Sequence, residues 1–240
     1  MHPNSSEELE HRLAALDRYH VLDTPPEQEF DDLTFLAAFI CDAPMALITL
    51  LDAKRQWFKS KVGVNVTETP IEDAFCTHAI QQHRVFNVND ASRDKRFSRN
   101  PLVTGGPQIR FYAGAPLRSY DGVALGTICV IDRVPKSLTD RQQEALSALS
   151  RQVINQLEQR RMTRELATAL VEKEEALKHV EQLRGMLPIC AYCQRIRDDK
   201  NYWSEVVEYF STHSEMRFSH GICPNCYPTA RIAMGLPPED

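Results

Sequence analysis

From Ser137 to Arg184 the chain contains neither glycine nor proline. The two strongest helix breakers are absent over more than ten helical turns, so this stretch predicts one long helix. At ~1.5 Å per residue it would reach about 70 Å if unbroken. A helix of that length divides the chain into a region before it and a region after it. The region before it mixes short apolar runs with Pro, Gly and Asp punctuation. The region after it carries two Cys-x2-Cys pairs, Cys190/Cys193 and Cys223/Cys226.

The helix has two textures. Leu146, Leu149, Val153 and Leu157 form an apolar stripe that predicts packing on the preceding region or on a second copy. Beyond Leu157 it is strongly charged, with Leu166, Leu170, Leu177 and Val180 at spacings that fit heptad positions. A polar helix this long is poorly stable alone, so a parallel coiled coil and hence a homodimer are expected.

The first region reads as alternating helices and strands. Leu9, Leu13, Leu16 and Tyr19 recur at helical spacing, and a second helix follows Pro25-Pro26 with Leu33, Leu36, Phe39 and Ile40 on its inner side. Residues 45–51 and 55–61 read as strands joined by a turn at Asp52-Ala53. "EDAFCTHAIQQ" predicts a short helix capped by Asp73, and "RVFNVND" a short strand. Residues 110–132 predict a hairpin whose tight turn uses Asp121-Gly122, and Ser137 or Thr139 is expected to cap the long helix. This order predicts an α+β fold, an antiparallel sheet flanked by helices.

Composition sets the limits on partners. The formal net charge of the 240 residues is −5 and the pI about 5.9, so a nucleic-acid partner is not expected. The N-terminal residues show no export signal and no long apolar run occurs, so a soluble, cytoplasmic chain without a membrane partner is expected. In that setting the seven cysteines do not read as a disulfide framework. Cys41, Cys76 and Cys129 sit singly in apolar surroundings and read as small buried hydrophobes. No H-E-x-x-H, P-loop, nucleophile elbow or GGDEF signature occurs, so no enzymatic activity is expected.

The stretches "RLAALDRYHVLDTPPEQEFDDLT", "QWFKSKVGV", "FCTHAI", "DASRDKRFSRNPLV", "IRFYAGAPL" and "LGTICVIDRVPKSLTD" resemble GAF domains, sensor modules of bacterial signal transduction. The resemblance implies a GAF domain over residues 1–156 and a helical linker over 157–184. It also implies a small-molecule pocket lined from Phe75 to Ile80, by the loop 90–106 and by the strand from Arg110 to Pro116. The ligand-binding candidates are Phe75, Cys76, His78, Arg96, Arg110 and Tyr112, with no ligand identified. The loop carries Arg93, Lys95, Arg96 and Arg99 and could meet an anion, or its Asp and Arg residues could satisfy one another. Bilin-binding GAF domains attach their chromophore to a cysteine that a histidine follows directly. Here Thr77 stands between Cys76 and His78, which favours a buried thiol at Cys76.

Four thiols in two Cys-x2-Cys turns suit tetrahedral Zn²⁺, with Cys190, Cys193, Cys223 and Cys226 as ligands and His220 as an alternative. Between the pairs, Tyr202, Trp203, Val206, Val207 and Phe210 match one helix face and would form a small core. A module of some 40 residues gains little stability from such a core, so a structural metal is expected. "LPICAYCQRIRDDKNYWSEVVEYF" and "FSHGICPNC" resemble a short cysteine-bearing module that follows receiver, PAS and GAF domains in bacterial signalling proteins. The expected zinc module covers residues 185–228, with a tail at 229–240. Its four basic and five acidic residues argue against DNA and for a protein partner, such as a histidine kinase or a response regulator. A thiol-based redox enzyme or sensor using Cys76 or a tail pair is the alternative reading, and a bilin photoreceptor on Cys76 a further one.

Overall fold

A computed structural model describes residues 6–184, 187–198 and 200–235. The molecule divides into two compact units, one ending at Ala169 and one beginning at Leu170.

The first unit is built on a six-stranded antiparallel sheet of β1 (Met45–Leu51), β2 (Arg55–Val62), β3 (Glu68–Pro70), β4 (Phe86–Val88), β5 (Phe111–Arg118) and β6 (Ala124–Asp132). The strands lie in the order β3-β2-β1-β6-β5-β4. β1 reads as a continuous apolar run because both faces of the sheet are covered, and all seven of its residues are buried. Alternate residues feed two separate cores. Ala46, Ile48 and Leu50 of β1 join Phe111, Ala113 and Ala115 of β5 and Val130 of β6 in one core. Met45, Leu47 and Leu51 join Tyr112, Cys129 and Ile131 in the other.

The first core is closed by α1 (Ser6–Asp17), α2 (Gln28–Ile40) and the start of α5 (Asp140–Arg184). Leu146, Leu149, Val153 and Leu157 of α5 are buried there. α2 presents Phe30, Thr34, Ala37 and Ala38 to the sheet, with Leu33 half-buried beside them. Leu36, Phe39 and Ile40, expected on that inner side, are exposed together with Phe35. Small residues at 34, 37 and 38 let the helix backbone approach the strands closely, and the bulky apolar face is left outward.

Thr139 caps α5: its hydroxyl accepts from the Gln142 N–H at 3.3 Å, and the Gln142 side-chain carbonyl accepts from the Thr139 N–H at 3.0 Å. That reciprocal pair is a capping box. At the β5–β6 turn only Gly122 takes φ > 0, while Asp121 accepts instead from Ser119 Oγ and Arg18.

Two networks bind α5 to the rest of the unit. Tyr19 donates to the buried Glu158 at 2.7 Å. Lys59 of β2, its side chain wholly buried, bonds Thr24, Pro25 and Glu27, and Glu27 also pairs with Arg160. From Met162 to His179 every residue of α5 is exposed, including Leu166, Leu170 and Leu177. The side chain of Val180 lies outside the described residues. Among the described residues no helix is long and apolar enough to cross a membrane.

The second unit contains the hairpin of β7 (Ile196–Arg197) and β8 (Trp203–Ser204), then α6 (Val206–His213) and α7 (Tyr227–Ala233). Tyr202 and Trp203 precede α6 rather than lying on its face, and with Val206 and Val207 they are exposed. The Asp198 side chain accounts for this. It accepts the N–H groups of Lys200 and Tyr202, and Asn201 turns at φ 66°. Such an Asx turn competes with helix and places Trp203 on the returning strand. Residues 236–240 of the expected tail lie outside the described residues.

Candidate functional site

The second core is where the sheet meets short helical turns and loops. α3 (Cys76–Ala79) is a single turn, preceded by a 3₁₀ turn at Ile71–Asp73, so Asp73 does not cap it. α4 (Pro101–Thr104) is held by Asn100, whose side-chain oxygen Oδ1 accepts from Leu102 N–H at 2.8 Å. The Asn100 amide donates to Asp73 O at 3.1 Å and so ties α4 to the segment that leads into α3. Ile109 N–H returns to Leu102 O at 2.8 Å. These bonds fix a wall of short elements over β1, β2, β5 and β6.

Between wall and sheet lies a cavity of about 70 Å³. Its floor is Met45 and Leu47 of β1, Gln56 and Phe58 of β2, Tyr112 of β5 and Ile131 of β6. Its wall is Phe75 and Cys76 with Leu102, Pro107 and Ile109, and Val64, Val66 and Thr69 stand at one side. The lining is almost wholly apolar and contains no ionisable carboxylate or cation. One polar atom in it is unmatched: Gln56 is 5% exposed, and its side-chain carbonyl oxygen takes no hydrogen bond. Buried polar atoms are nearly always paired, because stranding one costs ~1–3 kcal/mol.

Beside Gln56 the cavity holds a sulfur with three hydroxyl donors. Cys76 Sγ accepts from Thr127 at 3.0 Å, Tyr112 at 3.2 Å and Thr49 at 3.4 Å. Thr49 and Thr127 are themselves 3.1 Å apart on neighbouring strands. Burial alone would push the Cys76 thiol up. Hydrogen bonds from Cys129, Thr127, Thr49 and Tyr112 outweigh it and bring the thiol below its usual range. Cys129 is pushed the other way, by its bond to Cys76 and by burial.

Of the candidate ligand residues, Phe75, Cys76 and Tyr112 are brought together in the cavity lining. His78 lies outside it, its ring 5.0 Å from Phe97 and 6.3 Å from Phe86. Arg96 forks onto Asp94 and covers the same two rings. Arg110 donates to Val103 O and Ile109 O and so closes the loop over the cavity. Gln56, Thr49 and Thr127 were invisible to sequence reasoning, since a polar residue in a strand reads as outward-facing. The parity of β1 and β6 was the available signal: Thr49 shares a face with Leu47, and Thr127 with Cys129.

The tail thiols form two local pairs. Backbone N–H groups of Cys193 and Tyr192, then the Cys193 thiol, hold Cys190 below the usual thiol range. The Cys226 thiol and backbone N–H groups do the same for Cys223. Each turn thus sets two thiols side by side. Among the described residues no three His, Cys, Asp or Glu side chains converge on one point, and His220 is exposed.

A cyclic di-GMP phosphodiesterase of Pseudomonas aeruginosa is 40% identical over 162 residues. That match takes in 67% of this chain but only 28% of the phosphodiesterase. Among solved structures, the GAF domain of an Acinetobacter phosphoenolpyruvate-protein phosphotransferase is similar at TM-score 0.48 and 17% identity, over 66% of this chain and 95% of that one. The blue-light-absorbing form of the PixJ GAF domain of Thermosynechococcus elongatus is similar at TM-score 0.49 and 14% identity, over 70% and 97%. Residues 11–157 match the GAF domain, and the chain belongs to the GAF domain family.

Proposed function

We propose that the chain is a non-enzymatic ligand sensor of bacterial signal transduction. The cavity under α3 takes a small, largely apolar molecule that offers one hydrogen-bond donor to Gln56. The observation that carries this reading is the unmatched Gln56 oxygen inside an apolar cavity of about 70 Å³. A ligand donor would satisfy that oxygen, and apolar contacts would supply affinity. The cavity and α5 sit on opposite faces of the same strands, so a displacement of β1 or β6 reaches Leu146 and Val153 through Leu50, Ile128 and Val130. The phosphodiesterase relative supports a signalling setting, since a region like this one is there joined to a longer protein.

The exposed leucines of α5 would pair in a parallel homodimer. Cys190, Cys193, Cys223 and Cys226 would hold one structural Zn²⁺ once the two Cys-x2-Cys turns close on it. Two thiols per turn fit the ion's preference for tetrahedral sulfur. The exposed Tyr192, Tyr202 and Trp203 would then dock a protein partner, such as a histidine kinase or response regulator.

Native mass spectrometry of the freshly purified chain tests both parts. A dimer with one Zn²⁺ per chain and a non-covalent organic mass is expected, and a Val64→Trp variant should lose only the organic mass. A metal-free monomer with no added mass would overturn the reading.

A further inference from the structure

We infer that Cys76 and Cys129 form an oxidation site, at which a peroxide admitted by the cavity under α3 joins the two thiols in a disulfide. Four observations carry this. Cys76 lines the cavity, so a small molecule reaches its sulfur although the residue is 1% exposed. Its Sγ faces the hydroxyls of Thr127, Tyr112 and Thr49 at 3.0–3.4 Å, all able to donate to a sulfur anion. Cys129 lies in the same buried core as Cys76, two residues from Thr127 on the same face of β6 and opposite Leu47 and Gly114 in the sheet. No carboxylate lines the cavity to oppose negative charge on sulfur.

The pair is asymmetric in a way that suits two successive steps. The donors favour the thiolate at Cys76, while Cys129 keeps its proton. Thiolate character together with access selects the sulfur that is oxidised first. Cys76 Sγ attacks one peroxide oxygen, the O–O bond breaks, and the departing hydroxide takes up the thiol proton as water. Cys76 is left as a sulfenic acid. Cys129 Sγ then attacks Cys76 Sγ. The S–S bond forms, the S–O bond breaks, and hydroxyl and the Cys129 proton leave as a second water. The two thiols lose two electrons and the peroxide gains them. The product ties the first residue of α3 covalently to the middle of the sheet and removes the acceptor that the three hydroxyls share. This inference does not rest on the ligand proposed above, since hydrogen peroxide has only two heavy atoms and needs only entry.

The test is peptide mapping of the full chain after hydrogen peroxide, with free thiols alkylated under denaturing conditions. The expected product is a Cys76–Cys129-linked peptide that dithiothreitol releases. Cys41 serves as an internal control: burial pushes its thiol up to about 11, it lies in the other core, and it should stay alkylatable. In Cys129→Ser the reaction should stop at Cys76 sulfenic acid, captured by dimedone. Recovery of Cys76 and Cys129 as free thiols at a peroxide dose that has oxidised the exposed tail cysteines would overturn the inference. So would Cys76 found joined to a tail cysteine. Both readouts exist in the unmutated chain, so neither depends on the folding of a variant.

Discussion

Replacing Lys59 by methionine tests whether the buried ion network holds the first unit together. The Lys59 side chain is wholly buried and makes three hydrogen bonds, to Thr24 Oγ1 and Pro25 O at 2.9 Å and to Glu27 Oε1 at 2.5 Å. Its ammonium also lies 5.2 Å from the centre of the Phe30 ring. Methionine keeps most of the stem volume and removes the charge. Breaking a buried pair by deleting one partner costs about 3–5 kcal/mol when the survivor is left alone. Here Glu27 keeps Arg160, at 3.1 and 3.3 Å, and is about a third exposed, which places Lys59→Met at the low end, about 3 kcal/mol. For a unit of this size that is a fall in Tm of about 6–12 °C.

The pH dependence separates this account from simple repacking. Burial would raise the Glu27 carboxyl, but Lys59 and then Arg160 outweigh it and hold it below its usual value. A carboxylate with a lowered folded pKa stabilises above the unfolded pKa, here about 4.5, and that stability is lost as pH falls through the folded value. Lys59→Met removes the first cationic contribution, so the gap between the two proteins should shrink as pH falls from 7 to 3.5. The other lowered carboxylates are common to both proteins and cancel in the difference. Urea unfolding followed by fluorescence of the buried Trp57, two residues away, reads both effects. A gap under about 0.5 kcal/mol at pH 7, or one constant with pH, would refute the reasoning and class the network as no better than an apolar replacement.

Two further perturbations have outcomes set by geometry. A Cβ at Gly126 would stand 1.9 Å from the Thr49 carbonyl oxygen of the adjacent strand, backbone against backbone, so Gly126→Ala should cost more than about 4 kcal/mol and yield little folded protein by far-UV circular dichroism. Thr139→Ala should cost about 1 kcal/mol by removing the capping box, measured by urea unfolding, and a loss under a few tenths would make the cap redundant.

The fold was legible wherever one local rule acted alone. β1, the β5–β6 hairpin and the Thr139 start of α5 follow from apolar runs, a glycine turn and a capping pattern, each written within a few residues. α2 was misread because most of its length is apolar. Periodicity then favours the largest side chains, Leu36, Phe39 and Ile40, whereas packing against a sheet selected the small ones, Thr34, Ala37 and Ala38. The hairpin at Trp203 was hidden for a related reason. A single carboxylate, Asp198, captures the Tyr202 N–H and so overrides the start of a helical pattern that begins at that residue.

The cavity shows a sharper limit. Phe75, Cys76 and Tyr112 stand in stretches whose family likeness points to a pocket, and all three line it. Arg96, Arg110 and His78 come from the same stretches, but each has a nearer use: a fork on Asp94, a brace on the 103–109 loop, an edge-on contact with Phe97. Sequence offers no way to tell a charge that waits for a ligand from one already spent on the chain's own loop. The reverse holds for Gln56. Its chemistry is ordinary, and only burial without a partner marks it. Cys129 is similar, since a lone cysteine in a valine- and isoleucine-rich strand reads as a small hydrophobe. The register that sets it opposite Leu47, on the face that α3 covers, brings it to Cys76. In this chain the residues with chemistry to spare are those whose meaning depends on what another strand places beside them.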